Sequence, residues 1–324
     1  MGDPAGIGPE VLAKAWEVRQ RAQLGSFFAV GDARAISRVW PGPLVLIKDP
    51  DQAVSLFDTA LPVLSIDDWG EVTPGQPNVD GARCALHALE VAVGLTRSGA
   101  AAAIVTGPVS KAQLYQIGFN YPGQTEFVAE RCGIARDNAV MMLVGPGLRV
   151  VPMTVHVPLI EVAPMLTIDL VLAKARGTAR GLTRTFGIAD PRLAFAAFNP
   201  HAGENGAMGR EEIDILEPAI AQLRAEGIDA IGPLSADTMF HAAARARYDV
   251  AMCCYHDQAL VPLKTLYFDE GVNITLGLPI VRTSPDHGTA FDIAGQDKAN
   301  PEAMIAAIRV AAEASHHRAT AIPG

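Results

Sequence analysis

The chain has 324 residues, 49% of them hydrophobic and 19% charged, with a net charge of −9. That length exceeds what one hydrophobic core usually fills, so two domains are expected, and the composition excludes a disordered chain. No dense Lys/Arg cluster marks a nucleic-acid surface, no apolar run reaches about 18 residues, and four cysteines without a C-x-x-C pair read as reduced thiols; a cytoplasmic protein apart from membrane and nucleic acid is expected.

The first residues, Met1-Gly2-Asp3-Pro4-Ala5-Gly6-Ile7-Gly8-Pro9-Glu10, form a Gly/Pro-rich loop leading into a helical stretch at 11–20. Such a loop ordinarily follows a strand. That strand would lie before residue 1, so Met1 reads as an internal methionine, or the numbering as starting late. Residues 26–30 predict a short strand ending at Gly31-Asp32. Leu86, Leu89 and Val93 recur at helical spacing and predict a helix over 81–97. Residues 101–105 predict a buried strand ending at Thr106-Gly107-Pro108. Residues 140–144 and 148–155 predict a hairpin through Gly145-Pro146-Gly147. A long helix is expected over 161–185 and a strand over 193–198. A helix over 210–226 should be kinked or divided by Pro218. A strand over 249–254 and a closing helix over 301–314 complete the chain. This alternation predicts an α/β fold with one antiparallel pair in its middle region.

Three histidines follow predicted strands. His156 follows 148–155, His201 follows 193–198 in Asn199-Pro200-His201-Ala202-Gly203-Glu204, and His256 follows 249–254 in Tyr255-His256-Asp257-Gln258. Ligands of open α/β sheets sit at the carboxyl ends of strands, and three imidazoles suit a divalent cation such as zinc. Asp257 and Glu204 stand beside two of them, placed to orient the rings. Unrelated histidines that cap strands or bond loop carbonyls are the plainer alternative.

Anion sites are sought in three places. Gly2 to Gly8 offers backbone N–H groups at a helix start but matches neither G-x-x-x-x-G-K-[ST] nor G-x-G-x-x-G. Thr106-Gly107-Pro108-Val109-Ser110-Lys111 is a strand-end loop with a hydroxyl and an ammonium. The segment 264–287 is denser: Lys264 supplies a point charge, Arg282 a planar fork and Asn273 a neutral donor. A solvated surface is the alternative for each.

Seven stretches together carry a family likeness: Gly2 to Glu10, Thr106 to Lys111, Gly123-Gln124-Thr125-Glu126-Phe127, Asn199 to Glu204, Tyr255 to Gln258, Gly271-Val272-Asn273-Ile274-Thr275-Leu276-Gly277-Leu278-Pro279, and Arg282-Thr283-Ser284-Pro285-Asp286-His287-Gly288-Thr289-Ala290. On them the sequence resembles the 4-hydroxythreonine-4-phosphate dehydrogenases of vitamin B6 biosynthesis. The resemblance implies a two-domain α/β fold like that of isocitrate and isopropylmalate dehydrogenases. The first domain would hold 1–120 and 270–324, the second 121–269 with the dimer contacts. It implies a homodimer with the active site at the subunit interface. It makes His156, His201 and His256 the metal ligands, the last from the other subunit. It assigns substrate phosphate to Lys264, Asn273, Arg282, Thr125 and Gln124, where the family usually has histidine at 124. It implies NAD or NADP and zinc, magnesium or cobalt, and oxidation of 4-phosphooxy-L-threonine to a β-keto acid that decarboxylates to 3-amino-2-oxopropyl phosphate. Asp237 and Lys111 are the candidate proton carriers. Rival readings are a relative acting on threonate or erythronate 4-phosphate or a dihydrodiol carboxylate, a zinc hydrolase using a metal-bound water, and a metal-stabilised binding protein without turnover.

Overall fold

A computed structural model describes residues 1–66, 69–135 and 138–320. The chain divides into two compact units. Unit 1 takes Met1–Gly133 and Pro279–Ser315; unit 2 takes Ile134–Leu278 and the end of the closing helix from His316.

Unit 1 begins with α1 (Gly8–Glu17), β1 (Ala29–Gly31), α2 (Ala33–Val39), β2 (Leu44–Ile47), α3 (Gln52–Leu56) and β3 (Leu61–Ser65). Next come α4 (Val79–Ser98), β4 (Ala103–Val105), α5 (Lys111–Gln116) and α6 (Gln124–Arg131). The strands β1, β3 and β2 form a parallel sheet in that order. Helix α4 shows why a sequence of this kind stops and starts where it does. The Asn78 side chain accepts from Gly81 N at 2.8 Å at one end, and Gly99 closes the other at φ 82. Its buried stripe of Ala82, Ala85, Leu89 and Val93 follows the helical period.

Unit 2 contains β5 (Val140–Gly145), β6 (Leu148–Pro152), α7 (Leu159–Met165), α8 (Ile168–Phe186), β7 (Leu193–Ala196), α9 (Glu217–Ala225) and β8 (Ala230–Leu234). It continues through α10 (Ala242–Arg245), β9 (Val250–Cys253), α11 (His256–Tyr267) and β10 (Val272–Leu276). Its strands run in the order β10-β5-β6-β9-β7-β8. The chain returns to unit 1 with β11 (Val281–Pro285), parallel to β4, and closes with α12 (Glu302–Thr320). β7 and β9 are buried at every position, which is why both read as unbroken apolar runs and not as alternating ones.

Several expectations are corrected. The helix expected over 161–185 is two helices, because Leu166 is extended and Thr167 caps α8 by accepting from Leu170 N at 3.2 Å. Pro218 does divide its stretch: it sits in the first turn of α9, where its missing N–H costs nothing, behind a π-turn at Glu212–Leu216. Two antiparallel ladders occur rather than one, because β10 pairs with β5 as well as β5 with β6. β6 and β7 end at Pro152 and Ala196, earlier than expected, which releases their last residues into loops.

Candidate active site

Within unit 2, β6, β9, β7 and β8 lie side by side and parallel. Their carboxyl ends share one edge of the sheet. The loops leaving that edge carry, in sheet order, His156, His256, His201 and Asp237. Two side chains tie three of the loops together. Thr154 Oγ1 donates to Cys254 O at 2.8 Å, and Gln258 accepts from Cys254 N and donates to Ala197 O, both at 2.7 Å.

His256 opens α11, and its Nδ1 lies 2.7 Å from Asp257 Oδ1. A carboxylate at that distance favours the proton on Nδ1 and leaves Nε2 as the nitrogen for a ligand. The His156 ring lies 5.7 Å from the His256 ring, centroid to centroid, and both line a cavity of about 240 Å³ with Thr154, Tyr255 and Asp257. The resemblance takes His256 from another subunit; in the single chain it stands beside His156. His201 is not brought to this pair. It lines a separate cavity of about 570 Å³ with Glu204, Glu217 and Arg224. Among the described residues, no group of three His, Cys, Asp or Glu is placed to hold a metal.

The backbone at these histidines is unusual. His156 has φ 53, and His201, Ala202, Glu204 and Asn205 have φ between 44 and 57. Left-handed backbone costs a non-glycine residue about 1–2 kcal/mol, and such outliers gather at ligand sites. The His201 turn is held by Glu212, whose side chain is buried at 1% exposure. Its carboxylate accepts from Asn199 N at 2.7 Å and from Asn199 Nδ2 at 3.0 Å. Glu211 accepts from the same Nδ2 at 2.6 Å, a bond that holds its carboxyl below the usual range. Sequence reasoning missed Glu212, since two glutamates ahead of an apolar helix read as a solvated first turn. Asp237 is exposed, and its Oδ1 accepts from Ser235 Oγ at 2.7 Å.

Unit 1 holds a second constellation. Arg282, on β11, is 3% exposed; it donates from Nη1 to Thr125 Oγ1 at 3.1 Å and from Nη2 to Thr106 Oγ1 at 2.8 Å. Burial pulls its guanidinium down to about 10. Thr125 lies in the first turn of α6, where unsatisfied N–H groups favour anions. Gln124 Nε2 donates to Gly107 O at 3.1 Å, so this residue braces the Thr106 loop. Lys111 opens α5 and extends its side chain toward Gly123, just ahead of α6. In unit 2, Lys264 is half-buried on α11. Asn273 lies on β10 with its Oδ1 buried and without a hydrogen-bond partner, a group that a ligand donor would satisfy.

Histidines after parallel strands in unit 2, and a buried arginine beside a helix start in unit 1, are groups suited to binding small molecules in an α/β protein. Residues 23–311 match the family of the pyridoxal phosphate biosynthetic protein PdxA, and the chain belongs to that family. It is 58% identical over 318 residues to the 4-hydroxythreonine-4-phosphate dehydrogenase of Zymomonas mobilis, covering 98% of this chain and 95% of the relative. The crystal structure of 4-hydroxythreonine-4-phosphate dehydrogenase from Klebsiella pneumoniae matches with a TM-score of 0.86 and 36% identity, over 97% of this chain and 96% of that one. A terephthalate 1,2-cis-dihydrodiol dehydrogenase from Burkholderia xenovorans matches with a TM-score of 0.63 and 31% identity, over 96% and 95%. The resemblance drawn from the seven motifs therefore holds. By family the chain is an oxidoreductase of pyridoxal phosphate biosynthesis. No helix among the described residues is long and apolar enough to cross a membrane.

Proposed function

We propose that this chain oxidises the secondary hydroxyl of 4-phosphooxy-L-threonine, with NAD or NADP and a divalent metal ion (zinc, magnesium or cobalt), to a β-keto acid that loses carbon dioxide to give 3-amino-2-oxopropyl phosphate. One observation carries the reading: 58% identity, across 98% of this chain, to a relative named for that dehydrogenation.

The donor chemistry suits a metal. Two imidazoles stand together, one with a carboxylate at Nδ1 that leaves Nε2 for a ligand, and a third follows β7, the parallel strand next to β9. His156, His201 and His256 are assigned as the ligands. When bound, the cation supplies Lewis acidity near neutral pH and the nicotinamide supplies a hydride acceptor. Arg282, Thr125, Gln124, Lys264 and Asn273 are assigned to the substrate. An anion at Arg282 would add to the favourable charge of Glu126 in stabilising a guanidinium held out of water. Asp237 and Lys111 are assigned as proton carriers.

Among the described residues the three histidines are not gathered in one place, and a homodimer that completes the site is part of the proposal. Exposed apolar side chains on α7 and α11 support this, Leu159 among them lining the cavity of the histidine pair. Helix α7 leaves Leu159 67% and Ile160 83% exposed, and α11 with its C-terminal neighbour leaves Val261 62% and Phe268 75% exposed. Apolar patches of this kind mark interfaces. The cytoplasm is the proposed site of action, in keeping with four free cysteines.

The test is turnover. Purified protein with NAD or NADP, one of the three metals and 4-phosphooxy-L-threonine should raise the reduced-nicotinamide absorbance and release carbon dioxide. The relative from Burkholderia xenovorans favours one other reading, a dihydrodiol carboxylate substrate. Faster turnover of that compound, or of threonate or erythronate 4-phosphate, would overturn the assignment. Hydrolysis without nicotinamide would point to the zinc hydrolase.

A further inference from the structure

Glu126 puts a carboxylate among the groups of unit 1 that suit an anion, and the roles given to those groups leave it unused. It lies in the first turn of α6, directly after Thr125, whose hydroxyl accepts from the buried Arg282 at 3.1 Å. Lys111, at the start of α5, faces it across Gly123. A Cβ at Gly123 would lie 3.3 Å from Glu126 Oε2 and 3.9 Å from Lys111 Nζ, so carboxylate and ammonium flank one small opening that the glycine leaves free. Arg282 feels the same carboxylate, whose charge favours the protonated guanidinium against burial.

Scaffolding does not account for this carboxylate. Among the described residues, neither Glu126 nor Lys111 forms a side-chain hydrogen bond or an ion pair. Asp3 gives the contrast. It is 1% exposed and accepts from Ala5 N at 3.0 Å and from the backbone of Ser110, so its carboxyl is spent on holding loops. Glu126 is half-buried and holds nothing, which leaves its charge as its chemistry. An ionised carboxylate only accepts hydrogen bonds. It offers none to a fully ionised phosphate ester, and it repels one.

We propose that Glu126 is a resident counter-charge of the Arg282 site: it offsets Arg282 and Lys111 while the site is empty and repels the anion that arrives, so it sets both the affinity and the charge preference of the site. The inference rests on the reading of Arg282 as a substrate-phosphate residue. An arginine, a lysine and a helix start would by themselves hold a dianion tightly. One negative charge among them keeps that anion exchangeable. Its repulsion scales with the charge on the ligand, so it weighs more on a dianion than on a monoanion of the same shape. Glu126 is thus a specificity-determining residue, with no part in proton or hydride transfer.

The experiment titrates the full chain with two probes of like shape, methyl phosphate and methyl sulfate, by calorimetry at pH 8 and low ionic strength. There the first is a dianion, its second pKa being about 6, and the second a monoanion. Glu126→Gln should tighten methyl phosphate at least about tenfold and methyl sulfate only about threefold, because the repulsion removed is half as large. Glu126→Asp keeps the charge and should stay close to wild type, and Glu126→Ala should repeat the glutamine result. Arg282→Ala marks any binding elsewhere on the protein. Methyl phosphate bound equally or more weakly by both neutral variants would overturn the proposal and leave the Arg282 site standing, as would an equal gain for the two probes. Absence of methyl phosphate binding in the wild type would remove the site itself, and this inference with it.

Discussion

Replacing Asn199 with aspartate tests how the His201 turn is held. The Asn199 amide nitrogen lies 2.6 Å from Glu211 Oε2 and 3.0 Å from Glu212 Oε2, so one NH2 group serves two carboxylates. The substitution is nearly isosteric, but it exchanges that donor for a third acceptor carrying charge. Two charge-assisted bonds are lost, each worth about 1.5–3 kcal/mol. A like charge near 3 Å adds repulsion of up to about 5 kcal/mol at an effective dielectric of 20, which proton uptake limits. A net loss of about 3–5 kcal/mol at pH 7 is expected, or roughly 10 °C in the melting of unit 2. Asn199→Ala removes the bonds without adding charge and should cost less, the difference being the repulsion that aspartate adds. The pH dependence fixes the sign. In the wild type, Glu211 is held below its ordinary value by Asn199, so its contribution is present at neutral pH and lost as pH falls through the lowered pKa. In the aspartate variant the crowded carboxyls are raised, so the folded state binds protons before the unfolded state does. The deficit between variant and wild type should therefore narrow on acidification. Urea titrations of the three proteins at pH 7.5 and pH 5 give the answer. An aspartate variant as stable as the alanine variant at pH 7.5, or a deficit that widens at pH 5, would refute the reasoning.

Arg282→Lys keeps the charge but loses the two-pronged bond to Thr106 and Thr125. It should raise KM for the phosphorylated substrate by about ten- to a hundredfold, with a smaller change in kcat; steady-state kinetics at saturating cofactor separate the two. Asp257→Asn removes the carboxylate at His256 Nδ1 and should weaken metal affinity about 10–100-fold, read by titration against a chromophoric chelator, while His201→Ala should lower metal content and rate together. Among the thiols, burial pushes Cys84 up to about 11 and raises Cys253 and Cys254 further. An aromatic disulfide reagent at pH 8 should therefore titrate Cys132 alone in the native protein and all four cysteines in urea; early release of more than one would contradict the burial.

The strand ends were legible because buried parallel strands read as plain apolar runs, and each run stops where a polar loop begins. That logic found the loops of His156, His201 and His256 from residues 148–155, 193–198 and 249–254, though it set the strands too long. It did not find β2, β3, β8, β10 or β11, whose short runs carry no period that separates strand from loop. Nor did it find Glu212, because a buried carboxylate is defined by the donors that converge on it, and Asn199 reaches it across a turn of the chain. The left-handed backbone at His156 and His201 was equally silent, since no glycine or asparagine marks either position. The missed features share one cause. Each depends on a contact that closes a loop, while periodicity reports only on how one segment faces a core.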